Sequence, residues 1–320
     1  MIDTIFNIYR FDPNKDEKPY YKKYGVSIDE RTTVMNVLTK IKDKSDGSLS
    51  FRKGCGAAIC GTCAVKVNGA AKLACKTRVM ELLTANMENP EITIEPLSNA
   101  KVIKDLVIDQ EHFWEQIKQT MPWLISNVPK NNEEHEVKPE ETELVANSQD
   151  CINCHACTSD CSVYASDKEF LGPEALVKVF RYVADTRDVK KGERLKLATE
   201  KGMWNCAHAY NCSDVCPKDV KPADKITKLR ELAIQSGLDN NRGARHAKNF
   251  LDSLENVGKL EEVKMPLKTL RPWGVHAFIP DTIRMVTHGK MPPIMQKKIK
   301  DHNQVKRLIK IAKQRHNPEQ

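Results

Sequence analysis

The sequence predicts an α+β protein in which a small domain with a β-sheet is followed by an all-α domain. Near the N-terminus apolar residues alternate with polar ones, as in strands, whereas further along they recur every three or four positions, as in amphipathic helices. The 11 cysteines fall into three groups, one in the first region and two in the second. A length of 320 residues suits two or more domains.

The first domain is predicted to span residues 1–106. Its elements are defined by the alternating apolar residues, by turn residues such as Asp12-Pro13-Asn14, and by one stretch of helical spacing. The predicted elements are strands at Thr4–Phe11, Tyr20–Ile28, Cys63–Asn68 and Glu91–Pro96, and a helix at Arg31–Lys42. Asn68-Gly69 predicts a tight turn at the end of the third strand.

The cysteines of the first domain predict an iron–sulfur site. They are Cys55, Cys60 and Cys63, with the spacing C-x4-C-x2-C, and Cys75. This is the spacing of plant-type ferredoxins, in which four thiolates hold one [2Fe–2S] cluster. The loop also contains three glycines, Gly54, Gly56 and Gly61. Glycines let the backbone approach the sulfur atoms and direct N–H groups at them, which tunes the reduction potential.

The two later groups of cysteines follow the bacterial ferredoxin spacing C-x2-C-x2-C-x3-C-P. The first group is Cys151, Cys154, Cys157 and Cys161; the second is Cys206, Cys212 and Cys216, with Ala209 in place of a cysteine. In two-cluster ferredoxins the fourth cysteine of each run ligates the other cluster. We therefore expect Cys216 to complete a [4Fe–4S] site with Cys151, Cys154 and Cys157.

The same exchange leaves a second site with only three thiolates. Cys161 is expected to join Cys206 and Cys212, and Ala209 supplies no fourth ligand. Three thiolates suit a [3Fe–4S] cluster, which lacks one iron. The three groups then use every cysteine of the chain.

Zinc and disulfides are the alternative uses of these cysteines. Cys60-x2-Cys63 and Cys151-x2-Cys154, taken alone, would suit a zinc site, but the longer runs do not have zinc spacing. Disulfide frameworks belong to small secreted domains, and the N-terminus lacks the basic and apolar regions of a secretory signal. Neither alternative is favoured.

The remaining regions are predicted to be mostly helical. Residues 107–143 are expected to form a helix at Asp109–Met121 and then a charged surface linker over Asn127–Glu143. Residues 144–236 are the all-α domain, with helices at Pro173–Asp185 and Ala223–Gln235. Residues 237–320 are a basic C-terminal extension.

The C-terminal extension has a concentrated positive charge. Gly289–Arg315 contains nine Lys or Arg and one acidic residue, together with an apolar stripe at Val305, Leu308, Ile309 and Ala312. A basic amphipathic helix can lie on an anionic membrane or on an acidic partner. A solvated end of the chain is the alternative. Basic residues alone do not specify nucleic acid, so none is predicted as a partner.

Composition also bears on the relation to membranes. The formal net charge is +8, and 29% of the residues are charged. No apolar run approaches the ~20 residues that a membrane-spanning helix needs. The sequence therefore predicts a chain that is not an integral membrane protein.

The order of the domains and several motifs resemble one family, the iron–sulfur subunits of succinate dehydrogenase and fumarate reductase. The resemblance covers about residues 1–236. Its most specific passages are Cys55-Gly-Ala-Ala-Ile-Cys60-Gly-Thr-Cys63, Leu73-Ala-Cys75 and the run from Cys151 to Cys216-Pro217-Lys218. Further motifs that look like the family are Gly172-Pro173, Arg181-Tyr182, Asp185-Thr186-Arg187-Asp188 and Gly202-Met203-Trp204-Asn205-Cys206. These passages look nearer to the fumarate reductase branch than to the mitochondrial one.

The resemblance implies a β-grasp plant-type ferredoxin domain followed by an α-helical ferredoxin domain, acting as an electron relay. A partner flavoprotein with FAD would interconvert succinate and fumarate, and electrons would pass through [2Fe–2S], [4Fe–4S] and [3Fe–4S] clusters to a membrane quinone. This chain would then carry no catalytic residue for the substrate. It would lie at the membrane periphery, on the cytoplasmic face, or on the periplasmic face after export with a signal-bearing partner.

Three departures from the family pattern concern the expected quinone side. The Trp that the family usually has a few residues after Cys161 is absent, and Val163-Tyr164-Ala165-Ser166 stands there. Ser162 follows Cys161 where the family commonly has Pro, and Ala207 follows Cys206 where it commonly has His, with His208 one place later.

Ser162 and His208 are the candidate quinone-side residues, and the favoured alternative for His208 is a histidine that packs around a cluster or lies at the surface. The departures count against the ordinary two-helix haem anchor, and with the extended tail they suit the non-classical members of the family, whose anchor subunit carries CCG motifs. The alternative functions are a relay for another flavoprotein with a CCG-motif partner, of the glycolate or glycerol-3-phosphate oxidase type, and a non-enzymatic protein that binds iron–sulfur clusters or zinc.

Overall fold

A computed structural model describes residues 1–84, 91–127 and 134–316. The chain divides into two units, Met1–Leu232 and Ala233–Gln320. The first unit contains all 11 cysteines. Its mixture of sheet and helix agrees with the predicted α+β class.

A five-stranded sheet forms the N-terminal part of the first unit. Its strands are β1 (Ile2–Arg10), β2 (Tyr20–Ile28), β3 (Ala64–Val67), β4 (Ala70–Leu73) and β5 (Glu91–Glu95), in the order β2-β1-β5-β3-β4. β1 and β5 are parallel, and the other neighbours are antiparallel. Phe6 and Ile8 point to the core, whereas Ile5 is exposed, because successive side chains of a strand face opposite sides.

One helix covers the inner face of this sheet. α1 (Val34–Lys44) buries its apolar residues, which include Val34, Leu38 and Ile41. It begins at Val34 rather than at the predicted Arg31, because Thr33 caps it: the Thr33 hydroxyl accepts from the Asn36 N–H, and the Asn36 side chain accepts from the Thr33 N–H. The cap fixes where the helix begins.

The turn between β3 and β4 is the predicted Asn-Gly turn. Asn68 and Gly69 have φ values of 50° and 81°, which are the two positive φ values of a tight hairpin turn. The hairpin places Cys63 just before β3 and Cys75 just after β4. Two residues that are distant in sequence are thereby brought to the same end of the sheet.

The rest of the first unit is mainly helical. Its further elements are α2 (Val79–Thr84), β6 (Val102–Lys104), β7 (Val107–Ile108), α3 (Glu111–Gln119), α4 (Pro139–Val145), α5 (Ala156–Ser159), α6 (Ser162–Ser166), α7 (Pro173–Val183), α8 (Lys191–Glu200), α9 (Asn211–Asp214) and α10 (Pro222–Gln235). The cysteine runs lie on the short turns and helices between the longer helices.

The predicted surface linker, Asn127–Glu143, is partly helical. Residues 128–133 lie outside the described residues, but α4 begins within the linker, at Pro139. Proline suits the first position of a helix, because an N–H there would have no partner within the helix. Glu140 and Glu141 interact favourably with the positive end of the helix dipole. The run of charges was therefore a helix start and not only a solvated strap.

A buried ion pair fixes the segment that enters the linker. Arg194 of α8 pairs with Asp188 at 3.0 Å, and neither side chain is exposed to solvent. The guanidinium also donates to the carbonyls of Thr120, Met121 and Trp123. These bonds attach the chain that follows α3 to the helical part of the unit.

The second unit is built from helices. They are α11 (Arg242–Val257), α12 (Lys264–Val275), α13 (Ile279–Thr287) and α14 (His302–His316). α14 lies against α11, where His302 bonds the Glu255 carbonyl and Lys313 bonds the Glu255 side chain. Within the described residues, none of the helices has the length and apolarity needed to cross a membrane.

Candidate functional site

Three cysteines of the first group lie on a loop between α1 and β3, and the fourth, Cys75, follows β4. Cys55 and Cys60 are exposed, Cys75 is half-buried, and Cys63 is buried against the core of the sheet. The loop directs its backbone inward: the N–H groups of Ala57, Ile59 and Cys60 lie 3.3–3.4 Å from the Cys55 Sγ. The Ala58 N–H lies 3.3 Å from the Cys75 Sγ.

These contacts favour a negative charge on the loop sulfurs. The N–H groups of Ala57, Cys60 and Ile59 lower the pKa of the Cys55 thiol to about 6. Burial acts in the opposite direction and raises the pKa of Cys63 to about 12. A bound [2Fe–2S] cluster would supply positive charge beside Cys63 and so stabilise its buried thiolate.

Two glycines let this loop fold closely. A Cβ on Gly54 would lie 2.9 Å from the Cys60 Sγ, so only glycine leaves the sulfur its position. A Cβ on Gly61 would lie 2.7 Å from the Ile152 carbonyl oxygen and 2.9 Å from the Cys154 Cβ. The [2Fe–2S] loop therefore touches the next cysteine run directly.

A cavity in the helical part brings together cysteines from two runs. Its lining includes Cys151, Cys154, Cys157 and Cys216. Cys216 thus lies with the first run although more than 50 residues separate them. This is the grouping expected for a [4Fe–4S] cluster that takes its fourth ligand from the other run.

A buried carboxyl group lines the same cavity. Glu174, in the first turn of α7, is 2% exposed. Its Oε1 lies 4.0 Å from the Cys151 Sγ, and its Oε2 has no hydrogen-bond partner among the described residues. Burial raises the pKa of Glu174 to about 8. A polar group without a protein partner here faces the volume that a cluster would occupy.

A second cavity contains the other three cysteines. Cys161, Cys206 and Cys212 line it, together with Ala209, which stands where the fourth thiol of the ferredoxin pattern would be. The two candidate quinone-side residues, Ser162 and His208, line it too. The structure therefore brings together all the residues that the sequence assigned to the three-thiolate site and to the quinone side.

An arginine from α10 holds His208. The Arg230 Nη1 lies 2.7 Å from the His208 Nε2, and the same side chain donates to the carbonyls of Met203 and Cys206. Because a guanidinium only donates, the Nε2 of His208 accepts, and its ring proton lies on Nδ1. Burial, and then the charge of Arg230, lower the pKa of His208.

Two known domain families match the chain in these regions. A family described as "2Fe-2S iron-sulfur cluster binding domain" matches residues 5–115, and one described as "4Fe-4S dicluster domain" matches residues 147–220. The 8-methylmenaquinol:fumarate reductase iron-sulfur subunit of Wolinella succinogenes is 33% identical over 96% of this chain and 98% of its own length. The chain belongs to the succinate dehydrogenase/fumarate reductase iron–sulfur subunit family.

Other members of this family match a shorter part of the chain. The fumarate reductase iron-sulfur subunit of Haemophilus influenzae is 36% identical over 69% of this chain and 89% of its own. The succinate dehydrogenase iron-sulfur subunit of Paracoccus denitrificans is 34% identical over 72% and 87%. A chain of the Mycobacterium smegmatis Sdh1 complex has the same fold, with a TM-score of 0.65 and 24% identity over 74% of this chain and 98% of its own.

Membership of the succinate dehydrogenase/fumarate reductase family confirms the predicted function and cofactors. The chain is an electron-transfer subunit of a quinone oxidoreductase complex, and it carries iron–sulfur clusters of the three predicted types. The resemblance drawn from the cysteine motifs was correct.

Sequence reasoning missed two residues of the site. Arg230 lies four residues after the buried Ile226, so a charged residue on an apolar helix face was the signal for it. Glu174 gave no comparable signal, because an acidic residue in the first turn of a helix is ordinary. Only the packing around α7 distinguishes it from an exposed one.

Proposed function

We propose that this chain relays single electrons between a FAD-containing flavoprotein subunit and a membrane quinone. The observation that carries the proposal is the sorting of its cysteines into groups of four, four and three, two of which combine distant runs. That sorting matches one ligand set for each of three clusters in series.

The ligands follow from this sorting. Cys55, Cys60, Cys63 and Cys75 hold the [2Fe–2S] cluster; Cys151, Cys154, Cys157 and Cys216 hold the [4Fe–4S] cluster; Cys161, Cys206 and Cys212 hold the [3Fe–4S] cluster. The N–H groups around Cys55 and Cys75 support the first assignment, and the unpartnered Glu174 oxygen supports the second. Ala209 supports the third, since it leaves the cavity one thiolate short.

The clusters supply one-electron carriers, and the protein positions them. The backbone N–H groups of the first loop stabilise charge on its thiolates, and Gly61 lets that loop contact the run that begins at Cys151. Burial of Cys157 and Cys212 keeps water from the thiolates. This chain has no catalytic residue for succinate or fumarate in the proposal; the flavoprotein does that chemistry.

Quinone is proposed to bind beside the three-thiolate cavity. Ser162 offers a hydroxyl there, and His208 offers a ring that Arg230 orients. Two polar groups of this kind can bond the oxygens of a quinone.

We further propose the finer architecture and the type of complex. Residues 1–106 are a β-grasp domain, 107–143 a helix and linker, 144–236 an α-helical ferredoxin domain and 237–320 a basic extension. The Wolinella relative, named for 8-methylmenaquinol and fumarate, matches the extension as well. A complex with a membrane anchor or CCG-motif subunit, attached peripherally at the cytoplasmic face, is the proposed setting.

Two serine variants test the ligand assignment. In the purified complex, Cys216→Ser should damage the [4Fe–4S] cluster and Cys161→Ser the [3Fe–4S] cluster, as measured by electron paramagnetic resonance of oxidised and reduced samples. Each variant is the control for the other. If each variant instead damages the cluster of its own sequence run, the crossed assignment is wrong.

Isolation of the intact complex tests the relay itself. Purification from membranes should recover a flavoprotein with covalent or tightly bound FAD, and electrons should pass between succinate or fumarate and a quinone. Recovery with a flavoprotein that acts on glycolate or glycerol 3-phosphate would move the chain to the alternative complex. In that case the ligand assignment would still stand.

A further inference from the structure

Helix α13 exposes its whole apolar face. Every described side chain from Phe278 to Lys290 is exposed, and the helix buries none of its residues. Ile279, Ile283 and Val286 recur at the spacing of one helix face and are 48–59% exposed. An amphipathic helix normally turns such a face to a core, so this face is available for a partner.

The segment after α13 continues the exposed apolar surface. Ile294 is 69% exposed and Met295 is 83% exposed, and Pro292-Pro293 precede them. We call Ile279, Ile283, Val286, Ile294 and Met295 the α13 apolar surface. Large exposed apolar groups close together in the chain mark an interaction site rather than ordinary surface.

The other amphipathic helix of the unit is used differently. α14, which carries the apolar stripe predicted from the sequence, turns Val305 and Ile309 partly inward on the side that packs against α11. Leu308 stays exposed. The predicted stripe on α14 is therefore partly buried inside the unit, whereas the apolar face of α13 is wholly exposed.

The part of the chain that contains the α13 apolar surface is strongly basic. Residues 233–320 contain seventeen Lys or Arg and eight Asp or Glu, a net charge of +9, against +8 for the whole chain. Lys290, Lys297, Lys298 and Lys300 flank the exposed apolar residues. Apolar side chains bordered by lysines have the composition of segments that lie in the headgroup region of anionic membranes.

The length of α13 decides between lying on a bilayer and crossing it. Nine residues span about 14 Å at 1.5 Å per residue, which is about half the hydrocarbon thickness of a bilayer. A helix of this length can place one face in the interface but cannot span the membrane. The quinone-linked function proposed above brings the chain to a membrane, and the inference rests on it only to that extent.

We propose that α13 and the segment through Met295 form an interfacial anchor that binds an anionic lipid surface directly. Ile279, Ile283 and Val286 enter the outer part of the leaflet. Lys290, Lys297 and Lys298 contact phosphate headgroups. The chain thus attaches to the membrane by a contact of its own, in addition to any anchor subunit.

Vesicle binding by the full-length, cluster-loaded chain tests this anchor. The probes are vesicles of phosphatidylcholine alone and of phosphatidylcholine with phosphatidylglycerol, separated from free protein by flotation. The chain should float with the anionic vesicles and much less with the neutral ones. The double variant Ile283→Glu/Met295→Glu should weaken binding to the anionic vesicles at least about tenfold, because charged side chains replace apolar ones that the lipid would cover.

Leu267→Glu is the matched control. Leu267 is 49% exposed on α12 of the same unit but is not part of the α13 apolar surface. It should bind like the unchanged chain. Lys297→Gln/Lys298→Gln should weaken binding to the anionic vesicles only, and its difference from the unchanged chain should shrink as salt is raised, because exposed charges are screened over about 8 Å. Point variants are preferred to truncation because α14 packs against α11.

Several results would overturn the anchor. They are equal binding of the double variant and the unchanged chain, equal loss in Leu267→Glu, and no preference for anionic vesicles. Loss of an anchor subunit from the detergent-solubilised Ile283→Glu/Met295→Glu complex, with vesicle binding unchanged, would make the surface a protein interface instead. Missing clusters in the same samples would contradict the relay but not the anchor, so the two failures are distinguishable.

Discussion

Replacing Gly61 by alanine tests whether the [2Fe–2S] loop truly rests on the next cysteine run. Gly61 has a φ of +72°, and an added Cβ would lie 2.7 Å from the Ile152 carbonyl oxygen and 2.9 Å from the Cys154 Cβ. Both contacts involve the backbone or the first side-chain atom, so neither can turn away as a long side chain could. Alanine must therefore shift the loop or Cys154.

A second glycine of the loop isolates the cost of this contact. Gly56 has a similar φ of +68°, but a Cβ there would meet nothing within 4 Å. Gly56→Ala should cost only the left-handed backbone strain of alanine, about 1–2 kcal/mol. Gly61→Ala should add about 1–3 kcal/mol of overpacking to the same strain.

Thermal unfolding of the two variants measures the difference. For a unit of the size of Met1–Leu232, each 1 kcal/mol shifts Tm by about 2–4 °C, so Gly61→Ala should melt about 2–12 °C below Gly56→Ala. Circular dichroism on anaerobic, cluster-loaded protein gives both values, and [2Fe–2S] content is measured alongside. Equal Tm values for the two variants would show that the loop does not rest on Cys154.

Three further predictions concern the cavities and the buried ion pair. Ala209→Cys should convert the three-thiolate centre toward [4Fe–4S], with loss of the oxidised [3Fe–4S] resonance. Ala207 lines the same cavity, but Ala207→Cys should leave the resonance unchanged. Equal effects of the two variants would reject the assignment of Ala209. Arg194→Met should cost about 3–5 kcal/mol in urea unfolding, because Asp188 is left buried and unpaired; Arg194→Met/Asp188→Leu should recover part of this, and no recovery would contradict the reasoning. His208→Gln and Arg230→Gln should each raise the KM for quinone about tenfold while electron transfer to a soluble dye stays unchanged, and a parallel loss with both acceptors would place these residues outside the quinone site.

Much of the sheet and of the long helices could be predicted because their signals are local. β2 occupies Tyr20–Ile28, the predicted range, since alternation and turn residues define it without reference to the rest of the chain. α4 was missed because three of its seven residues are Glu and most of its side chains are exposed. A short helix without an apolar stripe gives no periodic pattern, and its proline resembled a linker residue.

The site could be predicted only in those features that the spacing of the cysteines determines. Thiol spacing predicted the cluster types, and the absent thiol at Ala209 predicted which centre is incomplete. The contact of Gly61 with Cys154 and the burial of Glu174 could not be read, because both depend on how separate segments pack. The exposure of the apolar face of α13 could not be predicted either, since an apolar stripe does not indicate whether another helix covers it.

The crossing of the two cysteine runs has a consequence for how the helical part holds together. Cys216 lies with the run of Cys151, and Cys161 lies with the run of Cys206. Each proposed cluster would therefore join segments more than 40 residues apart, and the two clusters would close the same stretch of chain twice. Metal binding that joins distant segments contributes to folding free energy, because the unfolded chain has no formed site. Loss of either cluster should then loosen the α7 and α8 helices between the runs, and the stability of these helices should follow cluster content rather than their own weak propensity.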